Sequence, residues 1–282
     1  MSLVLLGSTS GSVTLQEPSV AGSTVIDLPA TSGTMALTSG STAFTNLTVT
    51  NGASIQGLTV GRGAGAVSTN TAVGASALSA NTSGAFNTAI GNIALTANTS
   101  AQQSVAIGHG TLQANTTGDF NNALGSNALR LNTTGANNTA LGHNTLYSNT
   151  TASNNTAVGY QAGYSNTTGG LNTFIGTQAG YSSNYTGGNS VNVCIGYQSG
   201  YNLTTGTFNT FIGNGSTYPS GQLVTTGSKN VIIGGFGGNN GGLDIRTASN
   251  KIVLSDGDGN PAVYIDNPNA NTAVFANSAT GN

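Results

Sequence analysis

The chain has 282 residues, of which 4% are charged, against about 25% in an ordinary soluble domain. Its five basic and seven acidic side chains leave a net charge of −2, which gives no electrostatic footprint for nucleic acid and no polybasic patch for a membrane surface. No apolar run approaches the roughly 18 to 20 residues of a membrane-spanning helix, so no nucleic-acid partner and no membrane insertion are expected.

At the N-terminus, Leu-Val-Leu-Leu at residues 3–6 is too short for the apolar region of a signal peptide, and no basic residue precedes it. The expectation is that the protein stays in the compartment where it is made. Residues 1–43 form a first segment. Residues 44–69 form a second, in which Phe44-Thr45-Asn46-Leu47-Thr48-Val49 and the stretch up to Val60 alternate apolar with polar side chains, the period of strands.

From residue 70 to 234 the chain repeats. An aliphatic residue followed by glycine recurs at Gly74, Gly91, Gly108, Gly125, Gly142, Gly159, Gly176, Gly196, Gly213 and Gly234, in steps of 17 broken only by one of 20 and one of 21. The 43 glycines, with Asn, Thr, Ser and Ala, would read as disorder without such a period and read as a stacked repeat with it. Positions are numbered below from the landmark glycine. Position −1 is always aliphatic, from Val73 and Ile90 to Ile233, and is predicted to face a core. Position −2 is Ala72 through Ala157, then Phe174, Cys194, Phe211 and Ile232, a coarsening of the packing in which Cys194 reads as a small buried hydrophobe. Position −4 is Asn in every unit except at Ser104, a pattern that lets side-chain amides pass hydrogen bonds from coil to coil at the strand spacing of about 4.8 Å.

Asn recurs at 81, 98, 115, 132, 149 and 166, mostly before Thr and a small residue, which is turn chemistry. Each unit is therefore expected to be a short strand, a glycine bend, a second short strand around Ala-Leu or Ala-Gly-Tyr, and an Asn-Thr-Thr-Gly turn. Gly, Asn and Thr at this density exclude helix. The predicted fold is all-β, a parallel β-solenoid whose nine steps rise about 43 Å. One coil offers about four inward apolar positions, several of them alanine, so self-association is expected to supplement the core.

Ser104-Val105-Ala106-Ile107-Gly108 and its relatives such as Asn155-Thr156-Ala157-Val158-Gly159 resemble the signature of the head domains of trimeric autotransporter adhesins. That resemblance spans residues 70–234 and implies a left-handed β-roll in a homotrimer, with coils longer than those heads usually use. Gly11-Ser12-Val13-Thr14-Leu15 and Asp27-Leu28-Pro29-Ala30-Thr31-Ser32-Gly33-Thr34-Met35-Ala36-Leu37 are similar to N-terminal segments of bacteriophage tail-fibre proteins. This second resemblance makes 1–43 a virion-attachment segment and 44–69 a β connector.

After Gly234 the composition shifts. Asp244, Asp256, Asp258, Asp266, Lys229, Arg246 and Lys251 hold most of the charge of the chain. Residues 235–282 are read as a separate cap or receptor-facing element, with a hairpin formed by Ile252-Val253-Leu254, the turn at 256–260 and Ala262-Val263-Tyr264-Ile265.

Few residues carry chemistry. Asp256, Asp258 and Asn260 resemble the start of a calcium loop but lack its closing bidentate Glu, and a turn explains them equally. His109 and His143 share position +1 with Tyr160 and Tyr197, where three copies on a trimer axis could hold a metal or anion; an ordinary surface position is the simpler reading. Gly61-Arg62-Gly63-Ala64-Gly65-Ala66 fits a dinucleotide fingerprint only nominally, since no helical pattern follows. Asp119 is the sole acid from 63 to 228, so no paired carboxylates, and no Ser/His/Asp set, point to hydrolysis. Tyr147, Tyr160, Tyr164, Tyr181, Tyr185, Tyr197, Tyr201 and Tyr218 gather in the later half and read either as recognition residues or, for Tyr164, Tyr181 and Tyr201, as replacements for Leu78, Leu95 and Leu112 in the packing.

Together these readings imply a non-enzymatic homotrimeric fibre of a phage virion, without cofactor or metal. It would be synthesised in the host cytoplasm, joined to tail or capsid proteins through its N-terminus, and matched to a host surface glycan or protein receptor. A capsid-decorating head fibre, a bacterial surface adhesin and an ice-binding solenoid are the alternatives.

Overall fold

The computed structural model describes residues 53–55, 58–213, 215 and 217–266. The chain divides after Thr48, and every described residue belongs to the C-terminal unit; residues 1–43, expected from sequence to attach to a virion, the start of the expected connector and residues 267–282 lie outside the description. The landmark strands are three residues long: β3 (Thr71–Val73), β4 (Thr88–Ile90), β5 (Val105–Ile107), β6 (Asn122–Leu124), β7 (Thr139–Leu141) and β8 (Thr156–Val158). The series continues with β9 (Thr173–Ile175), β10 (Val193–Ile195), β11 (Thr210–Ile212) and β12 (Val231–Ile233).

These ten strands pair in parallel, each with the next, so that Ala72 lies beside Ala89, Ala89 beside Ala106, and Cys194 between Phe174 and Phe211. The stack runs one coil beyond Gly234: β15 (Lys251–Ser255) pairs in parallel with β12, giving eleven coils. Both ends switch direction. At the start, β1 (Ala53–Ile55) and β2 (Leu58–Gly61) are antiparallel to one another and β2 to β3; at the end, β16 (Pro261–Asp266) returns antiparallel to β15. This last pair is the expected hairpin. A two-residue ribbon, β13 (Asn239–Asn240) with β14 (Leu243–Asp244), fills the final long coil.

The Asn ladder forms as expected. Asn138 donates from its backbone N–H to Asn121 Oδ1 at 3.0 Å and from Nδ2 to the carbonyl of Ala152 at 2.9 Å, while its own Oδ1 accepts the N–H of Asn155. Ser104 keeps the ladder intact, because its hydroxyl accepts the N–H of Asn121. Lys251 ends it, donating its N–H to Asn230 Oδ1. The turn asparagines are buried as well and form a second ladder, in which Asn132 Nδ2 reaches Asn115 Oδ1 and Asn149 Nδ2 reaches Asn132 Oδ1, each at 2.7 Å. Burying so many amides is tolerable only because nearly all are paired.

Two expectations fail. Position −1 does not face the core: it points out of every coil, and Ile90, Leu124, Leu141, Ile175, Ile212 and Ile233 are exposed by between 37% and 46%. The reason is the two-residue period of a strand. With the −4 amide and the −2 Ala, Phe or Cys inside, −3 and −1 must lie outside.

The second strand is also absent; residues 75–80 and their equivalents form turns instead. Two alternate residues there are left-handed, Ser76 and Leu78 in the first coil and Ile93 and Leu95 in the next, so the segment cannot pleat. It still bonds to its neighbours, Leu78 N–H to Ala94 O at 3.1 Å and Ala80 N–H to Thr96 O at 3.1 Å. The inward set per coil is four residues, such as Ala89, Ala94, Leu95 and Ala101, all fully buried. At the landmark bend Gly91 has φ +135°, and a Cβ there would stand 2.4 Å from the carbonyl oxygen of Gly108, so no other residue fits.

Candidate interaction faces

Two faces of the coil stack carry more than solvated polar side chains. The first is the outer surface of the parallel sheet. Thr, Val or Asn at −3 and the aliphatic at −1 repeat along eleven strands, ending in Ile252 and Leu254, both 39% exposed. Along β5, β6 and β7 the surface dips into an apolar groove of about 190 Å3, lined by Val105, Ile107, Asn122, Leu124, Thr139 and Leu141. Beside it, position −5 presents Phe86 at 61%, Phe120 at 46%, Leu171 at 43% and Phe208 at 54% exposure. Lys229 is the one charged residue at −5, −3 or −1 from residue 86 to 254.

The second face lies across the core, on the segment whose Gly180 sits against the ring of Phe174. Position +5 there is a continuous column. Gln113 Oε1 accepts from Arg130 Nε at 2.9 Å, the Arg130 guanidinium lies 5.9 Å from the Tyr147 ring centroid, and Tyr147, Tyr164, Tyr181 and Tyr201 stack at 5.2, 5.2 and 4.9 Å. Beside it Gln161, Gln178, Gln198 and Gln222 chain their side-chain amides at 2.9 to 3.0 Å. The tyrosines do not replace the leucines. Gly163, Gly180 and Gly200 take the places of Leu78, Leu95 and Leu112, and each tyrosine stands one residue later, half-buried on the surface. Because the rings between the ends of the column cover one another, they offer edges and hydroxyl tips rather than open π faces, which limits them as sugar platforms. Tyr160 and Tyr197 are more exposed, and Tyr160 stacks on His143 at 5.6 Å.

The remaining sequence candidates are dispersed. Asp256 is committed to its turn: its Oδ1 accepts the N–H groups of Asp258 and Asn260 at 3.0 and 2.9 Å, and these bonds, those from Asn260 foremost, hold its carboxyl below the usual range. Asp244 is held low by its bidentate pairing with Arg246, and Lys251 pairs across the hairpin with Asp266. His109 and His143 are exposed on their coils, and among the described residues no three His, Cys, Asp or Glu side chains gather where a metal could bind. Cys194 is fully buried, and burial pushes its thiol far up. Residues 64–66 form a single 3-10 turn, so the glycine run at 61–66 opens no helix. No helix among the described residues is long and apolar enough to cross a membrane.

The strands in register and the two faces are thus what the described residues offer to a partner. Comparisons with protein-family models, with curated proteins and with solved structures return no match. The class defined by the described residues is a parallel β-solenoid with an unpaired apolar sheet face.

Proposed function

We propose that this chain is the rod of a non-enzymatic homotrimeric fibre, borne on a phage particle and used in host attachment, in which the apolar sheet faces of three copies pack on one another. The observation that carries the reading is the exposed aliphatic at −1. In a chain rich in Thr and Asn, that position is never polar in any of the eleven coils, yet it adds nothing to the protomer's own core. Scattered exposed apolar residues need no explanation, but an uninterrupted row of them marks an interaction site. Assignment to a virion rests on the resemblance of residues 11–37 to tail-fibre segments.

Sedimentation of the full chain tests the assembly: the 27.7 kDa protomer should sediment at about three times that mass. Ile175→Asp, which puts carboxylates at one height on the packed face, should yield protomers that keep their β spectrum. A wild-type chain that is monomeric at micromolar concentration overturns the reading. Antibody labelling of particles tests the virion assignment.

A further inference from the structure

We propose that Phe86, Phe120, Leu171 and Phe208 are the anchors that set the register between copies of this chain, aligned in parallel with equal coils at equal height. This rests on the self-association proposed above and adds the residues that specify it. The argument starts from a double anomaly. Position −5 is left-handed in nearly every coil, with φ between +52° and +62° at Phe86, Gln103, Phe120, Asn137, Asn154, Leu171, Val191, Phe208, Lys229 and Asn250. Asn is the side chain best suited to that conformation, and bulky residues there are outliers. Leu78 and its equivalents accept the same strain at +4 but are buried in return. The phenylalanines at −5 accept it and remain exposed.

The fold does not ask for them. The backbone N–H at this position donates to the preceding coil whatever the side chain is: Phe120 to Gln102 O at 3.0 Å, Asn137 to Asp119 O at 3.0 Å, Lys229 to Thr207 O at 2.8 Å. Strain held without local return points to a contact outside the protomer.

The pattern identifies the partner. With β3 as coil 1 and β15 as coil 11, the apolar −5 residues fall in coils 2, 4, 7, 8 and 9. An antiparallel pairing centred on coil 6 would match only Phe120 with Val191 and would set Phe86 against Lys229, Leu171 against Asn137 and Phe208 against Gln103, whereas equal heights set each apolar residue against its own kind. The size of the face fits a second copy too. Eleven strands at about 4.8 Å and five residues of width at about 3.3 Å give on the order of 900 Å2, close to the roughly 800 Å2 per partner of a standard interface. Near-absence of charge leaves nothing for an acidic or basic partner to complement.

The test uses the full chain carrying Thr210→Cys, an outward strand position, with Cys194 buried. In parallel register, mild oxidation should link Cys at 210 to itself in another copy; in antiparallel alignment coil 9 faces coil 3 and no such link forms. Replacing Phe86, Phe120 and Phe208 together by Asn, the residue of coils 5, 6 and 11, should leave the circular dichroism intact. It should weaken association by about tenfold per side chain and scatter the cross-link. A gain-of-contact variant, Asn137→Phe with Asn154→Phe, should tighten association, and it decides the matter if the triple variant misfolds. Unchanged association and cross-linking in the triple variant, or in the gain variant, overturn the anchor assignment while leaving the fibre reading in place. A triple variant that still assembles but no longer adsorbs to cells would overturn it in favour of a different partner. A monomeric parent would instead remove the fibre reading itself.

Discussion

At position +4, Leu78, Leu95, Leu112, Leu129 and Leu146 hold φ between +49° and +51°, a strain of roughly 1 to 3 kcal/mol each. Full burial of a leucine returns about 1.5 to 3 kcal/mol, so the two nearly cancel. The later coils settle the same space differently. Glycine at 163, 180, 200 and 221 removes the strain, and Phe174, Cys194 and Phe211 at −2 reach across to fill the space; a Cβ on Gly180 would lie 2.3 Å from Phe174 Cε1. The Ala-Leu and Phe-Gly pairs are thus volume-matched exchanges. Gly180→Leu alone should cost at least about 3 kcal/mol through overpacking and strain, and adding Phe174→Ala should recover much of it, read as the melting temperatures of the two variants. The change from Ala to Phe was legible in the sequence as coarser packing, but its partner was not: Gly163 beside Tyr164 looked like Leu giving way to Tyr, because a left-handed leucine leaves no mark in the letters. The −1 aliphatics misled for the opposite reason. Their lack of polar exceptions reads as a core position, whereas the alternation of a three-residue strand with −4 and −2 inside turns them outward.

At the scale of elements, a strand of three residues is too short to persist alone, and here each is held on both sides by its neighbours and by the amide of the preceding Asn. This was readable, since Asn every 17 residues ahead of a β-branched run has few other uses. The terminal hairpin was readable too, from Asp-Gly-Asp-Gly between two apolar runs. Less visible was that β15 would join the parallel stack, because Lys251 stands where Asn is expected and the step to it is long. The hairpin turn has its own pH dependence. Asp256 has a lowered pKa in the folded chain through its bonds to Asn260 and Asp258, so its contribution is complete above the ordinary carboxylate value of about 4 and is lost as pH falls through the folded value. Protection of the Asp258 and Asn260 amides, their exchange corrected for the intrinsic dependence on hydroxide, should fall on that acid side and stay flat from pH 5 to 7; Asp256→Ala should show low protection throughout.

For the whole stack, equivalence of coils is the governing property. Removing residues 122–138 joins Asn121 to Thr139 and leaves both ladders, the core and the outward faces in phase, so the product should fold and be shorter by about 4.8 Å. Removing nine residues from the same place turns inward positions outward and should give an aggregating or unfolded chain. Equal solubility and melting of the two deletions would contradict the coil assignment. The ends matter as much as the repeats. Because β16 runs against the stack, the C-terminal edge of the described sheet presents no parallel strand to a further coil, and growth from that edge is discouraged.

The inter-coil hydrogen bonds, backbone and amide alike, run along the direction in which coils are stacked. A pull applied along that direction therefore loads one coil's bonds at a time, as in a zipper, and not all of them together as in shear. Each coil that gives way would release a slack of 17 residues, about 55 to 60 Å of extended chain, while the coils behind it stay closed. Under such a load the molecule would act as a brake: it would yield in equal instalments, spreading a sudden jolt over a longer path instead of snapping at a single threshold.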